Sequence, residues 1–284
     1  GDWIGITFDQ NSNLNISNLS GLSVAFARNG IQGAAGLPKI SNSRFSDCSS
    51  SGVDCRAARI PVELTNNTAE TCGTGFFVAS NTSQSVTIAS STATRCYYGI
   101  VSRDNMRSDI VGNTVKFWSI TGIDLGNPDI TSRARLNLVA PGGNGSAIVA
   151  RGRDEIRRNT LQGNFGIEIR DPAAITMRSN LILADNAKNG IGVLYSGPGA
   201  YAAASQTFQN NDIWNPTASA QRYRDSLGGV LTGVIGDLRI DPMLKGGTPF
   251  VEFPDDSFDY HPATGSSLKS QGYAGEDIGA YDVQ

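Results

Sequence analysis

Hydrophobic positions in this chain recur as a pair, a small residue followed by a bulky apolar one. The pair occurs at Gly21-Leu22, Gly52-Val53, Gly75-Phe76, Gly99-Ile100, Gly122-Ile123, Ala147-Ile148, Gly166-Ile167 and Gly190-Ile191. The apolar members are 31, 23, 24, 23, 25, 19 and 24 residues apart. A second series keeps phase with it, from Ile40-Ser-Asn42, Leu64-Thr-Asn66 and Ile88-Ala-Ser90 to the looser Ile110…Asn113, Ile156…Asn159 and Met177…Asn180. After each pair, short stretches such as GIVSR, GIDLG and GIEIR alternate with the period of 2 of a strand, and no unit carries an amphipathic helical stretch. A period of this length without the leucine-rich consensus predicts a solenoid of short parallel strands. We therefore expect an all-β, single-domain right-handed parallel β-helix of nine to ten coils. With coils about 4.8 Å apart it would be a rod about 45 Å long. A β-sandwich would not hold two series in phase over so many units.

The pattern has interruptions. Residues 25–39, 126–135 and 196–206 read as insertions projecting from the coils, and the period fades after 216. The expected boundaries are coils over 1–216 and a tail over 217–284 that packs along and caps the helix. The segment GDWIGITFD already reads as a coil strand with no helix before it. This predicts either an upstream domain that was removed or self-association through an uncapped first coil.

These units, N-x-(aliphatic)…G-I-x-(aliphatic), resemble the pectate-lyase-like superfamily of right-handed parallel β-helix proteins. The tail strengthens the likeness: NNDIWNP, GDLRIDPML, DYHPATGSS and EDIGAYD follow one another as in the closing segment of secreted bacterial members. The resemblance implies an extracellular protein and a polysaccharide partner. It leaves open whether the chain is a lyase, a glycosidase, a non-catalytic structural or adhesive β-helix stacking into a filament, or a phage tail-type depolymerase domain.

Composition narrows the partners. Only 17% of the 284 residues are charged and the net charge is −3, so no global basic field exists to hold nucleic acid. No run approaches the roughly 18 apolar residues needed for a transmembrane helix. Few lysines, many Ser, Thr and Asn, four cysteines and a start at Gly1 without a signal peptide suit a mature secreted product.

Candidate chemistry follows from stacking the outward residues of the Gly-Ile strands. The first outward column reads Asp54, Phe77, Val101, Asp124, Val149, Glu168, Gly192; the second reads Arg56, Ala79, Arg103, Gly126, Arg151, Arg170, Leu194. Asp124 and Glu168, two coils or about 9.6 Å apart, sit near the upper limit of an inverting acid/base pair. Arg103 and Arg151, with Asp54, Arg56 and Phe77 beside them, are the expected substrate-binding residues, since guanidinium forks match carboxylates and sulfates. Two chemistries compete for the candidate catalytic set Asp124, Glu168 and Arg170. Hydrolysis would use Glu168 as acid and Asp124 as base. For β-elimination the resemblance implies an Arg or Lys base, Arg170 or Arg151 here, with a carboxylate or Ca2+ neutralising the uronate. The bland alternative is a ladder of ion pairs that keeps a β-face soluble. Oxygen ligands in SRDNMRSD (102–109) and GNPDI (126–130) are compatible with Ca2+ but form no calcium-loop motif. A single histidine, His261, and unpaired cysteine spacing argue against zinc and against Ser-His-Asp or Cys-His chemistry.

Cys48, Cys72 and Cys96 are spaced by 24 residues and share one corner of the coil. Neighbours about 4.8 Å apart lie within the Cα range of a disulfide. The expected pairing is Cys72–Cys96 with Cys48–Cys55, against other pairings or a reduced thiol ladder.

Overall fold

In the computed structural model the chain forms a parallel β-solenoid of about eight turns. The structure describes residues 3–14, 18–126, 130–170, 174–184, 190–197, 207–214, 222–226, 229, 231, 234–247 and 258–283. Each turn contributes strands to three faces. The face carrying the Gly-Ile pairs runs from Ile6–Phe8 through Asn29–Gly33, Ser51–Cys55 and Thr121–Gly126 to Phe165–Ile169, Ile191–Tyr195 and Tyr223–Asp225. The second face begins at Asn18–Ser20 and ends at Val234–Ile235. It joins the first through two long strands, Thr74–Ala89 and Tyr98–Val111, that bend through the corner between them. The third face is a separate stack of nine strands, from Ser23–Ala25 to Asp212–Trp214.

The small member of each pair has a steric cause. A Cβ at Gly99 would lie 2.3 Å from Cγ1 of Val115, one at Gly122 2.2 Å from Cγ1 of Val139, and one at Gly166 2.3 Å from Cγ2 of Ile182. The coil interior is too thin there for a side chain from both sides. The next residue, by contrast, fills the core, and Val53, Phe76, Ile100, Ile123, Ile148 and Ile167 are fully buried.

Register corrects the repeat at both ends. Ile31, not Leu22, is the partner of Val53, and on its other side it pairs with Ile6, so Gly30-Ile31 is a regular copy and extends the series back to a further pair, Gly5-Ile6. The strand Asn29–Gly33 lies inside the stretch expected to be an insertion, and the 31-residue unit disappears. At the other end Ile167 pairs with Val193 and Glu168 with Leu194. The first outward column therefore ends in Leu194, not Gly192. Strands also continue past 216, because Tyr223–Asp225 pairs with the strand Ile191–Tyr195 and Val234–Ile235 with Thr207–Gln209.

The second series marks a hydrogen-bonded ladder, which lies one residue beyond Asn42, Asn66 and Ser90 and coincides with the looser members Asn113, Asn159 and Asn180. The residues of the series, Asn42, Asn66 and Ser90, adopt φ of 50°, 55° and 49°, and Gly112, Arg158, Ser179 and Asn210 continue the same bend. This left-handed conformation turns the chain at the corner between the second and third faces. The following residue points inward, giving the column Ser43, Asn67, Ser91, Asn113, Asn137, Asn159, Asn180 and Asn211. The oxygen of each member after the first accepts the backbone N–H of the member one turn before, as in Asn113 N to Asn137 Oδ1 at 2.9 Å. The amides of Asn67, Asn113, Asn137, Asn159, Asn180 and Asn211 also donate to carbonyls of Ile40, Ile88, Ile110, Ala134, Ile156 and Met177. Buried corner amides that strands leave unpaired are thereby satisfied.

The tail lies lengthwise on the third face. Leu244, Tyr260, Leu268, Ile278 and Val283 form a second apolar cluster with Leu138, Ala140, Leu181 and Leu183 of that face. Glu276 holds Arg157 through both carboxylate oxygens, at 3.0 Å and 3.1 Å from Nε, and also accepts from Ser179; the Tyr260 hydroxyl donates to Gln162 at 2.7 Å.

Candidate functional site

The Gly-Ile strands bring Asp124, Arg103 and Arg151 together. Asp124 sits in register between Val101 and Val149 and is 2% exposed, so apolar neighbours line it on both sides. Arg103, one turn before, donates to its Oδ2 from Nη2 at 2.7 Å and from Nε at 3.2 Å. Arg151 reaches Oδ1 from the other side at 3.3 Å. Two turns beyond Asp124, Glu168 lies between Val149 and Leu194. Arg170 donates to Oε1 at 2.9 Å and Oε2 at 3.1 Å, Ser146 to Oε2 at 2.5 Å and Ser196 to Oε1 at 2.6 Å. Burial opposes the charge on Glu168, but these hydrogen bonds outweigh it and hold its pKa below the usual carboxylate range. The same pairing holds the Arg170 guanidinium protonated above its ordinary pKa.

Asp54, Arg56 and Phe77 form a separate group toward the start of the solenoid. Arg56 pairs with Asp54 at 2.9 Å and lies 5.1 Å from the centre of the half-buried Phe77 ring. Burial raises the Asp54 pKa, and Arg56, itself well exposed, offsets this only in part. Asp54, Val101, Asp124, Val149 and Glu168 of the outward column are thus buried, and arginines of the second column pair with its three carboxylates.

Sequence reasoning missed three contributors. Ser146 and Ser196 complete the shell of Glu168. Asp154, 1% exposed, accepts the backbone N–H of Arg151 at 3.1 Å, of Gly152 at 3.0 Å and of Ser132 at 3.3 Å, fixing the turn from which Arg151 projects. Burial, offset in part by these bonds, brings its pKa to about 7. The available signal was its phase: Ser108, Ser132 and Asp154 follow at 24 and 22 residues, and the Ser132 hydroxyl takes the N–H of Ser108 as Asp154 takes that of Ser132.

The remaining candidates separate from this face. All four cysteines are free thiols, so the expected bridges Cys72–Cys96 and Cys48–Cys55 are not formed. Cys55 lies in the Gly-Ile strand in register with Gly33 and Val78, away from the corner that carries Cys48. Among the described residues no three acidic, His or Cys side chains converge on one point. Asp109 is committed to Arg135 at 3.0 Å, Asp104 is exposed, and residues 127–129 of the second stretch lie outside the described residues. His261 sits in the tail, bonded to Asp259 at 2.6 Å and against the Tyr281 ring. No helix among the described residues is long and apolar enough to cross a membrane.

No family model matches the sequence, and no curated protein or solved structure matches it significantly. The likeness to pectate-lyase-like proteins therefore stands at the level of a parallel β-solenoid.

Proposed function

We propose that the Gly-Ile face binds an anionic polysaccharide, with Arg103, Arg151 and Arg170 as the contact groups. The observation that carries this reading is the anchoring of all three guanidiniums by two buried carboxylates, Asp124 and Glu168, two turns apart. The pairing fixes the forks while leaving side-chain exposures of 42%, 24% and 40% for an incoming ligand. Three cations over two anions make this patch locally positive in a chain of net charge −3. Pre-set arginines lose little freedom on binding, which favours carboxylate and sulfate recognition. Half-buried Tyr98 and Phe165, one column upstream, offer flat surfaces beside the charges for sugar rings.

In this reading Asp124 and Glu168 are positioning residues. A general acid must carry a proton near neutral pH, whereas the bonds to Glu168 hold it ionised. A base must release one, whereas Glu168 stabilises the protonated form of Arg170. The test is affinity electrophoresis and calorimetry on polyuronates, sulfated glycans and neutral glycans. We expect retention by an anionic glycan that weakens with salt and is lost in Arg103→Gln/Arg151→Gln/Arg170→Gln. Equal retention of that triple variant would overturn the assignment. Unsaturated or reducing-end products would instead make the face catalytic.

A further inference from the structure

The corner that leads from the third face into the Gly-Ile face differs from turn to turn. Register aligns Ser51, Thr74, Tyr98, Thr121, Ser146 and Phe165 as the first residues of successive Gly-Ile strands. The residues directly before them form a column on that corner: Ser50, Gly73, Tyr97, Ile120, Gly145 and Asn164. Of these, only Tyr97 and Ile120 are large and apolar, and they are 62% and 46% exposed. Glycines bound them on either side. A Cβ at Gly73 would lie 2.4 Å from the Ser50 carbonyl oxygen, and one at Gly145 1.7 Å from that of Ile120. Tyr97 and Ile120 thus stand as a raised step two turns wide, on strands about 4.8 Å apart. Their backbone is tied together, because the Tyr97 carbonyl accepts the N–H of Ile120 at 2.9 Å and of Thr121 at 3.4 Å. At the bend behind the step, the Arg95 guanidinium lies 5.5 Å from the centre of the Phe117 ring.

Single exposed apolar side chains are ordinary on a protein surface. These two are adjacent, and they belong to the two turns that carry the Arg103–Asp124 pair. Ile120 and Asp124 are separated by four residues of strand, about 13 Å. Half-buried Tyr98 begins the strand that carries Arg103. An apolar, aromatic step and a cation cluster therefore share one line across the strands. The turn of Glu168 and Arg170 has no such step, since Asn164 takes the position there.

We propose that Tyr97 and Ile120 form a subsite for an uncharged sugar, and that the bound glycan crosses the strands with a charged sugar on Arg103 and Arg151. This assignment rests on the Gly-Ile face binding an anionic glycan, and narrows that ligand to polymers mixing charged and uncharged sugars. A pyranose presents C–H groups on its flat face, which pack on a phenol ring, while its hydroxyls stay in water at the rim. Tyrosine suits this contact because its two side-chain torsions leave little freedom to lose. A polymer charged at every sugar would set a carboxylate on the apolar step at a cost in hydration. Arg95 at the bend is already paired with Glu70 at 3.2 Å.

The experiment measures retention in affinity electrophoresis on hyaluronan, unsulfated chondroitin and gellan, which mix charged and uncharged sugars, and on polygalacturonate, charged at every sugar. The expected result is stronger retention by a mixed polymer than by polygalacturonate. Tyr97→Ala/Ile120→Ser should weaken that retention about three- to tenfold, by the same factor at low and at high salt, with an unchanged far-UV circular dichroism spectrum. Arg103→Gln/Arg151→Gln should weaken it by a factor that shrinks as salt rises. Equal retention of the Tyr97→Ala/Ile120→Ser chain, or a preference for polygalacturonate, overturns the uncharged subsite and leaves the arginine assignment standing. A wild-type chain that none of the polymers retains overturns both.

Discussion

The two halves of the third face share a backbone and differ in what covers them. In the first half the outward positions are Ser23, Arg44, Thr68, Thr92 and Thr114 in one column, and Ala25, Ser46, Glu70, Thr94 and Lys116 in the other. These residues are exposed or half-buried, and Arg44 and Arg95 share Glu70 across the turns. In the second half the same columns read Leu138, Thr160 and Leu181, then Ala140, Gln162 and Leu183, all buried beneath the tail. The alternating pattern is identical; only the outward identity changes, and it changes at Leu138. On a solenoid the inward residues make the coil, while the outward residues decide whether a turn faces water or another part of the chain.

Breaking the covered half should have the largest effect. Tyr260→Ala removes a buried ring packed on Phe258 and its bond to Gln162, and should cost about 3–5 kcal/mol, read as a lower urea midpoint. Acidification acts next. Asp212 and Asp237, at the last turns of the covered half, both have pKa values raised by burial to about 7, from 3.8. The folded chain therefore binds more protons between these values, and stability falls as pH rises through 7. Going from pH 8 to 5.5 should stabilise this half by on the order of 2 kcal/mol, visible as slower hydrogen exchange around Ile240, with little change near Ala69. Glu276→Gln weakens the fork on Arg157 and should cost about 1–2 kcal/mol, with the loss confined to tail protection. Thr92→Val on the bare half should stay within about 0.5 kcal/mol. A large loss there would mean that this face is covered after all.

Repeat length and strand type were legible because the coil interior leaves room for no more than a methyl group beside each core residue, so Gly, and once Ala147, recurs in phase. The ends were misread because Gly21-Leu22 and Gly190-Ile191 copy the local pair without occupying its register. The ladder was located within one residue: Asn42 and Ser43, or Asn66 and Asn67, are both small and polar, and only backbone conformation separates the bend from the inward rung. Column order on the Gly-Ile face was correct as far as Glu168. The carboxylate partners were only partly legible, since Arg56 and Arg170 pair two residues away within their own turn while Arg103 and Arg151 reach Asp124 across turns, and the partnership of Asp154 with the Arg151 turn was not legible. Tail docking is a long-range match between Leu181 and residues about 80–100 positions away, which no local pattern marks.

The tail has one further consequence. Its contacts run backward along the rod: the Gln271 carbonyl meets Asn210, Gly279 meets the Ser179 carbonyl, and Ala280 meets Thr160. A bare solenoid is a one-dimensional stack that frays from its end, one turn at a time. Here the last turn cannot loosen alone, because the chain that leaves it is fastened to turns well inside. Fraying at this end must release several turns together, so the strap gives the terminal part of a repetitive molecule the all-or-none behaviour of a globular domain.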